Sequence, residues 1–200
     1  IMFSNSFYDF LSPILGIFER KKVKMEKRKI KKYYDAVLFG YNRIGFSILK
    51  SFKNMKKQYV VVDFNPDVIN DLKKFDIPSL YGDVYDTDFL DEMPLEKINL
   101  AVSTVPDYET NVLLINEIRK VNNKAIVVVR AHQIDQALEL YKKGADYVLT
   151  PHFLGGEYVA KMIDTLGTNQ QEYKKERLKH INMLEERRNL NQEHPDVEKN

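Results

Sequence analysis

Cysteine is absent from this 200-residue sequence, which excludes disulfide frameworks, thiolate nucleophiles and Cys-based zinc sites and suits a reducing compartment. Also missing is any uninterrupted apolar run of about 18 residues, the length that crosses a bilayer. Residues 1–18 come nearest and are broken by Asn5, Asp9 and Pro13, so the chain as it stands is expected to be soluble. Histidine is scarce, and His132, His152, His180 and His194 have no spacing that suggests metal ligation or a catalytic triad. His132 and His152 follow apolar runs and read as turn or capping residues. Asp86, Asp88, Asp91 and Glu92 fall close together but read as a solvated face before they read as a metal cluster. No internal repeat is visible.

The composition that remains is 44% hydrophobic, enough for one domain core with appendages. Charge is distributed unevenly. Glu19 to Lys32 holds nine Lys or Arg and two Glu and is therefore +7, while the other 22 basic and 27 acidic residues leave the body at −5. Nucleic-acid binders spread basic residues over the folded body, so no nucleic-acid partner is expected. The basic run follows directly on IMFSNSFYDFLSPILGIF, an order that resembles the cytoplasmic exit of a last transmembrane helix. Residues 1–33 are accordingly expected to be a juxtamembrane linker with a helix, belonging to something larger on the cytoplasmic side of the cell membrane. A plain solvated helix face is the alternative for the basic run.

From Tyr34 onward, short apolar runs alternate with amphipathic stretches of helical length. Strands are expected at Asp35–Phe39, Gln58–Asp63, Ser79–Tyr81, Ile98–Thr104, Lys124–Arg130 and Asp146–Thr150. Helices are expected at Arg43–Asn54, Pro66–Lys74, Thr87–Asp91, Asp107–Val121, Gln133–Lys143 and Leu154–Leu166. Continuous Val, Ile and Leu runs indicate strands covered on both faces, as a parallel sheet with crossover helices requires. Asn65 before Pro66 suits a helix N-cap and first position, Asp107 suits another cap, and Gly144 after Lys142 and Lys143 suits a C-terminal cap. The fold class read from this pattern is α/β, a Rossmann-like doubly wound parallel sheet of order 3-2-1-4-5-6 over residues 34–166, with the N-terminal linker before it. Residues 167–200 read as a charged helix that frays into a tail beyond about Asn191.

The first strand runs into Gly40-Tyr41-Asn42-Arg43-Ile44-Gly45 and then a helix, the context in which a glycine-rich turn offers backbone N–H groups to phosphate. Asp63 ends the second strand 18 residues beyond Gly45, where a carboxylate can accept hydrogen bonds from ribose hydroxyls, with Phe64 beside it. Gly82 and Asp83 after the third strand are candidates for the base, or a plain turn. Ser103 and Thr104 end the fourth strand, which neighbours the first, so they face the crevice where strand order reverses. The other reading makes Gly40 and Gly45 turn and packing glycines and Asp63 a capping acid. Arg130, at the end of the fifth strand, is a candidate to pair with a phosphate or with an acid across a dimer. The middle glycine of G-x-G-x-x-G is Asn42 here, and its bulk is expected to disfavour a diphosphate and so to favour AMP over NAD(H); the other reading has Asn42 take a left-handed φ and donate its amide to a phosphate oxygen, a substitute for the glycine.

The segments VLFGYNRIG, VVVDFNPD, LYGDVYD, AVSTVPDYETN, RAHQIDQALELYKKGADYVLTP and PHFLGGE together resemble the TrkA-N domains of potassium transporters and channels, also called KTN or RCK N-terminal domains. The resemblance is particularly to those at the C-terminus of Kef-type monovalent cation:proton antiporters. It covers Asp35 to about Leu166. It implies a non-enzymatic regulatory domain that binds AMP, ADP, ATP or NAD(H), dimerises through its last core helix, and acts on a membrane transport domain of the same polypeptide or complex. Matched position by position, it implies that residues 40–45 form the phosphate turn, that Asp63 holds the ribose and that Asp83 lies near the base. A nicotinamide-dependent oxidoreductase, a regulatory subunit of a potassium channel or Trk-type system, and a structural adaptor with a vestigial pocket are the rival readings.

Overall fold

Short runs of three to five mostly apolar residues form the strands, and the near-total burial of the central ones, Ala36–Phe39, Tyr59–Asp63 and Leu100–Ser103, explains their lack of polar alternation. A computed structural model of the chain describes Ile30 and residues 33–189. The rest of the expected linker and the expected frayed tail lie outside the described residues. Six strands, β1 (Ala36–Phe39), β2 (Tyr59–Asp63), β3 (Ser79–Tyr81), β4 (Leu100–Ser103), β5 (Ile126–Arg130) and β6 (Tyr147–Leu149), form one sheet. Their order is β3-β2-β1-β4-β5-β6 and every pairing is parallel, as the alternation of strand and helix predicts. Chain order reverses between β1 and β4, where Phe39 lies opposite Ser103.

Five helices connect the strands: α1 (Arg43–Asn54), α2 (Pro66–Lys74), α3 (Thr87–Glu92), α4 (Tyr108–Val121) and α5 (Ile134–Lys143). Leu49 and Phe52 of α1 and Ile69 and Leu72 of α2 pack on one sheet face against Leu38, Val61 and Val102. Neighbouring strand residues point to the other face, where Val37, Phe39, Val60 and Val62 are fully buried. Helix α4 contributes Leu114, Ile115 and Ile118 to the buried interior. Each such side chain contributes roughly 1.5–3 kcal/mol on burial, which makes the sheet a rigid platform for whatever its edge carries.

Local signals set the helix ends. The side chains of Asn65 and Asp107 cap α2 and α4, with Pro66 at the first position of α2, and Gly144 closes α5. The Asp107 carboxyl is held below the ordinary carboxylate range by the Thr110 hydroxyl and then by the Thr110 amide, at 2.6 and 2.8 Å. Two further helices follow the sheet, α6 (Pro151–Leu166) and α7 (Gln170–Asn189). Helix α6 begins three residues earlier than its apolar periodicity suggests, because Pro151 takes the first helical position, where a missing N–H costs nothing. None of its residues is buried. Among the described residues, no helix is long and apolar enough to cross a membrane.

Candidate functional site

The carboxyl ends of β1, β2 and β4 converge on the glycine-rich turn. Gly40 takes φ of 83°, a conformation that disfavours side chains, and its N–H donates to the Val62 carbonyl at 2.8 Å. Gly45 is required for a different reason. A Cβ there would stand 2.5 Å from the Gly40 carbonyl oxygen, so glycine lets the first turn of α1 settle on the end of β1.

Asp63 ties this turn to β2. It is almost fully buried, and its Oδ2 accepts the Tyr41 N–H at 2.7 Å while its Oδ1 accepts the Asn65 N–H at 2.8 Å. The acid thus supports the glycine-rich turn and holds the cap residue of α2, and is not itself the cap; each oxygen retains a second lone pair to accept a hydroxyl. On the opposite side, the Thr104 hydroxyl donates to the Gly40 carbonyl at 2.8 Å and the Thr104 N–H to the Phe39 carbonyl at 2.9 Å. Ser103 and Thr104 are both buried, and the Ser103 hydroxyl accepts the Val105 N–H at 3.3 Å.

Asn42 is the N-cap of α1. Its Oδ1 accepts from the N–H groups of Ile44 at 2.9 Å and Gly45 at 3.2 Å, and its Nδ2 donates to the Thr104 carbonyl at 3.0 Å. Its φ of −106° is that of an ordinary cap; the left-handed conformation in this turn belongs to Gly40. Arg43, next along, has a buried Nη1 without a hydrogen-bond partner among the described residues.

Beyond Asp63 the edge is aromatic. Phe64 is 69% exposed and Tyr85 is 65% exposed, and Tyr81, which pairs with Asp63 in the sheet register, is also exposed. Asp83 accepts the Tyr85 N–H at 2.9 Å, and the Gly82 N–H donates to the Asp63 carbonyl at 3.0 Å. A Cβ on Gly82 would lie 2.4 Å from the Phe89 ring, so that glycine serves close packing. The edge therefore brings together the N-terminus of α1, whose Ile44 and Gly45 amides are held by Asn42, a buried carboxylate and flat apolar faces, the chemistry that a phosphate, a ribose and a base would call on.

Several features escape a linear reading. Asn111 is wholly buried, and its Nδ2 lies within 3.0 Å of the carbonyls of Val105, Asp107 and Arg130, which pins the β4–α4 loop to the end of β5. In sequence it is one polar residue of an amphipathic helix. The rings of His132 and His152 stand 5.9 Å apart at the ends of β5 and β6, with Arg130 Nη2 3.2 Å from His132 Nε2. Asp86 caps α3 through the N–H groups of Asp88 and Phe89, and no group of three metal-ligating side chains exists among the described residues. Helix α7, highly charged and with its few apolar residues not gathered on one face, returns to α1. Arg187 Nη1 donates to the Arg43 carbonyl at 3.2 Å, its Nη2 donates to the Ser47 hydroxyl, and its guanidinium lies 5.5 Å from the Phe46 ring centroid.

Comparison with known proteins gives a consistent picture. The TrkA-N domain model matches residues 36–151. Potassium channel protein 1 of Methanocaldococcus jannaschii is 25% identical over 147 residues, covering 72% of this chain and 44% of that protein. The glutathione-regulated potassium-efflux system protein KefC of Klebsiella pneumoniae is 22% identical over 111 residues, covering 56% of this chain and 18% of that protein. The chain thus spans less than half the length of these relatives. A solved structure of the Shewanella denitrificans Kef CTD in AMP bound form shares the fold with a TM-score of 0.55 at 16% identity, covering 75% of this chain and 91% of that one.

Proposed function

Because the chain belongs to the TrkA-N family, we propose that it is a nucleotide-sensing regulatory domain of a monovalent-cation transport protein, most like those of Kef-type cation:proton antiporters. In this reading it is a binding module and not an enzyme. It acts from the cytoplasmic side of the cell membrane on a transport domain of the same polypeptide or complex, with residues 1–33 as the link. The ligand is an adenine nucleotide: AMP, ADP, ATP or NAD(H). A ligand can shift a regulatory equilibrium only by binding the two states unequally. The crevice beside the sheet's order reversal offers a means, since the turn is fastened both to β2 through Asp63 and to β4 through Thr104.

The observation that carries this reading is the convergence of the Gly40–Gly45 turn, the buried Asp63 carboxylate and the β4 terminus at that reversal, the place where doubly wound sheets take up ligands. Asp63 accepts hydroxyls and repels a further anion, so an unphosphorylated ribose 2′-hydroxyl is preferred. We also propose that the domain is a homodimer. Phe153, Tyr158, Val159 and Ile163 of α6 are all exposed, and with Leu138 of α5 they form apolar surface that a lone copy leaves in water.

Thermal melting with AMP, ADP, NADH and NADPH tests the reading. A ligand at 100 times its Kd stabilises by about 2.7 kcal/mol, which for a domain of this size raises Tm by about 5 °C or more. At least one of AMP, ADP and NADH is expected to produce that rise, and NADPH a smaller one. No shift with any of the four would leave a structural adaptor as the better account.

A further inference from the structure

We propose that the Asn42 carboxamide is a built-in competitor for ligand phosphate, one that occupies the phosphate donors of the turn in the unliganded domain and must swing aside when a nucleotide binds. The inference rests on the nucleotide reading above and concerns how that site is regulated.

Phosphate binds a helix N-terminus by accepting hydrogen bonds from first-turn N–H groups that have no partner within the helix. In α1 two of these donors, Ile44 and Gly45, already point at Asn42 Oδ1, at 2.9 and 3.2 Å. The surroundings fix which way the amide faces. Exchanging its oxygen and nitrogen would set an NH2 against two N–H donors and an oxygen against the Thr104 carbonyl, losing all three bonds. The carboxamide therefore lies where a ligand oxygen has to go.

With a glycine at this position the same donors would stand open. Asn42 thus changes the turn by occupancy. The cost falls on any phosphate that uses these amides, whether of a mononucleotide or a dinucleotide, and bulk against a diphosphate is a secondary matter. Displacement has a second consequence, because Asn42 leaves the Thr104 carbonyl as it swings away. Thr104 lies at the end of β4, one residue before Val105, whose carbonyl accepts from Asn111. Occupancy of the turn is thereby felt at the loop that leads into α4.

Calorimetric titration of the full 200-residue chain with AMP and with NADH tests this, on the native protein, Asn42→Gly and Asn42→Asp. Glycine at an N-cap costs the helix only a few tenths of a kcal/mol, so the first variant is expected to fold. It is expected to bind both nucleotides at least about fivefold more tightly, the equivalent of about 1 kcal/mol for the cap that no longer competes. Asn42→Asp keeps the cap and adds a negative charge, and is expected to bind at least about tenfold more weakly, the size of a lost charge-assisted contact. In the native protein, saturating AMP is expected to move the Asn42 side-chain amide signals in NMR together with the Ile44 and Gly45 backbone amides. If the native protein binds and Asn42→Gly binds no better, or the Asn42 side-chain signals stay fixed, Asn42 is not a competitor and the inference fails alone. If neither native protein nor Asn42→Gly binds either nucleotide, the inference and the nucleotide reading fall together.

Discussion

The Tyr41 N–H donates to Asp63 Oδ2 across 2.7 Å, so the acid expected to hold a ribose also holds the turn expected to hold the phosphate. One substitution should therefore disturb both halves of the site. Asp63→Ala removes an acceptor of charge-assisted hydrogen bonds, each contributing roughly 1.5–3 kcal/mol. Adenine-nucleotide affinity is expected to fall by about tenfold or more on calorimetry. The Tyr41 and Asn65 amides, which lose their acceptor, should exchange faster with solvent. Unchanged affinity would remove Asp63 from the ligand site and leave it a support for the turn and for Asn65.

Much of this fold is legible in the sequence because local and global signals agree. The central strands are almost wholly apolar since both faces are covered, and Asn65-Pro66, Asp107 and Gly144 mark helix ends by mechanisms that need only neighbouring residues. The turn from Gly40 to Gly45 is legible for the same reason: the left-handed Gly40 and the close approach at Gly45 leave few other residues possible. What is not legible depends on residues distant in sequence. Asn42 looks like an intruding side chain until the Thr104 carbonyl, 62 positions away, is seen to fix its orientation. Asn111 likewise looks like a solvated helix residue until the Arg130 carbonyl comes beside it.

The exposed face of α6 leads to a second prediction. Tyr158 is 64% exposed and Ile163 is 53% exposed on a helix with no buried residue, an arrangement that leaves apolar area uncovered in a single copy. Light scattering at micromolar concentration is expected to give the mass of a dimer. The double substitution Tyr158→Asp with Ile163→Asp places charges on that face and is expected to give a monomer with its far-UV circular dichroism unchanged. A monomeric native protein would count against the dimer, and a dimeric variant would move the interface elsewhere.

The last prediction concerns α7, which has no amphipathic pattern to hold it and yet lies against α1. Arg187 makes the contact in three ways at once, donating to the Arg43 carbonyl and the Ser47 hydroxyl while its guanidinium stands 5.5 Å from the Phe46 ring centroid. The neighbouring Lys50–Glu186 ion pair, at 3.2 Å, is solvent-exposed and contributes about 0–1 kcal/mol. Of these contacts with α1, those of Arg187 therefore carry most of the attachment. In Arg187→Ala, amide exchange over the last two turns of α7 is expected to quicken by about tenfold, in line with the loss of about 1–2 kcal/mol from a cation–π contact and its hydrogen bonds. The sheet should be unaffected, because Leu49 and Phe52 anchor α1 from its opposite face. Arg187→Lys separates charge from shape: an ammonium keeps the charge but cannot donate to two acceptors as a planar fork, so it should restore only part of the protection. Full protection in Arg187→Ala would show that α7 is held by other contacts, and an equal loss of protection throughout the sheet would show that the helix is part of the core's cooperative unit.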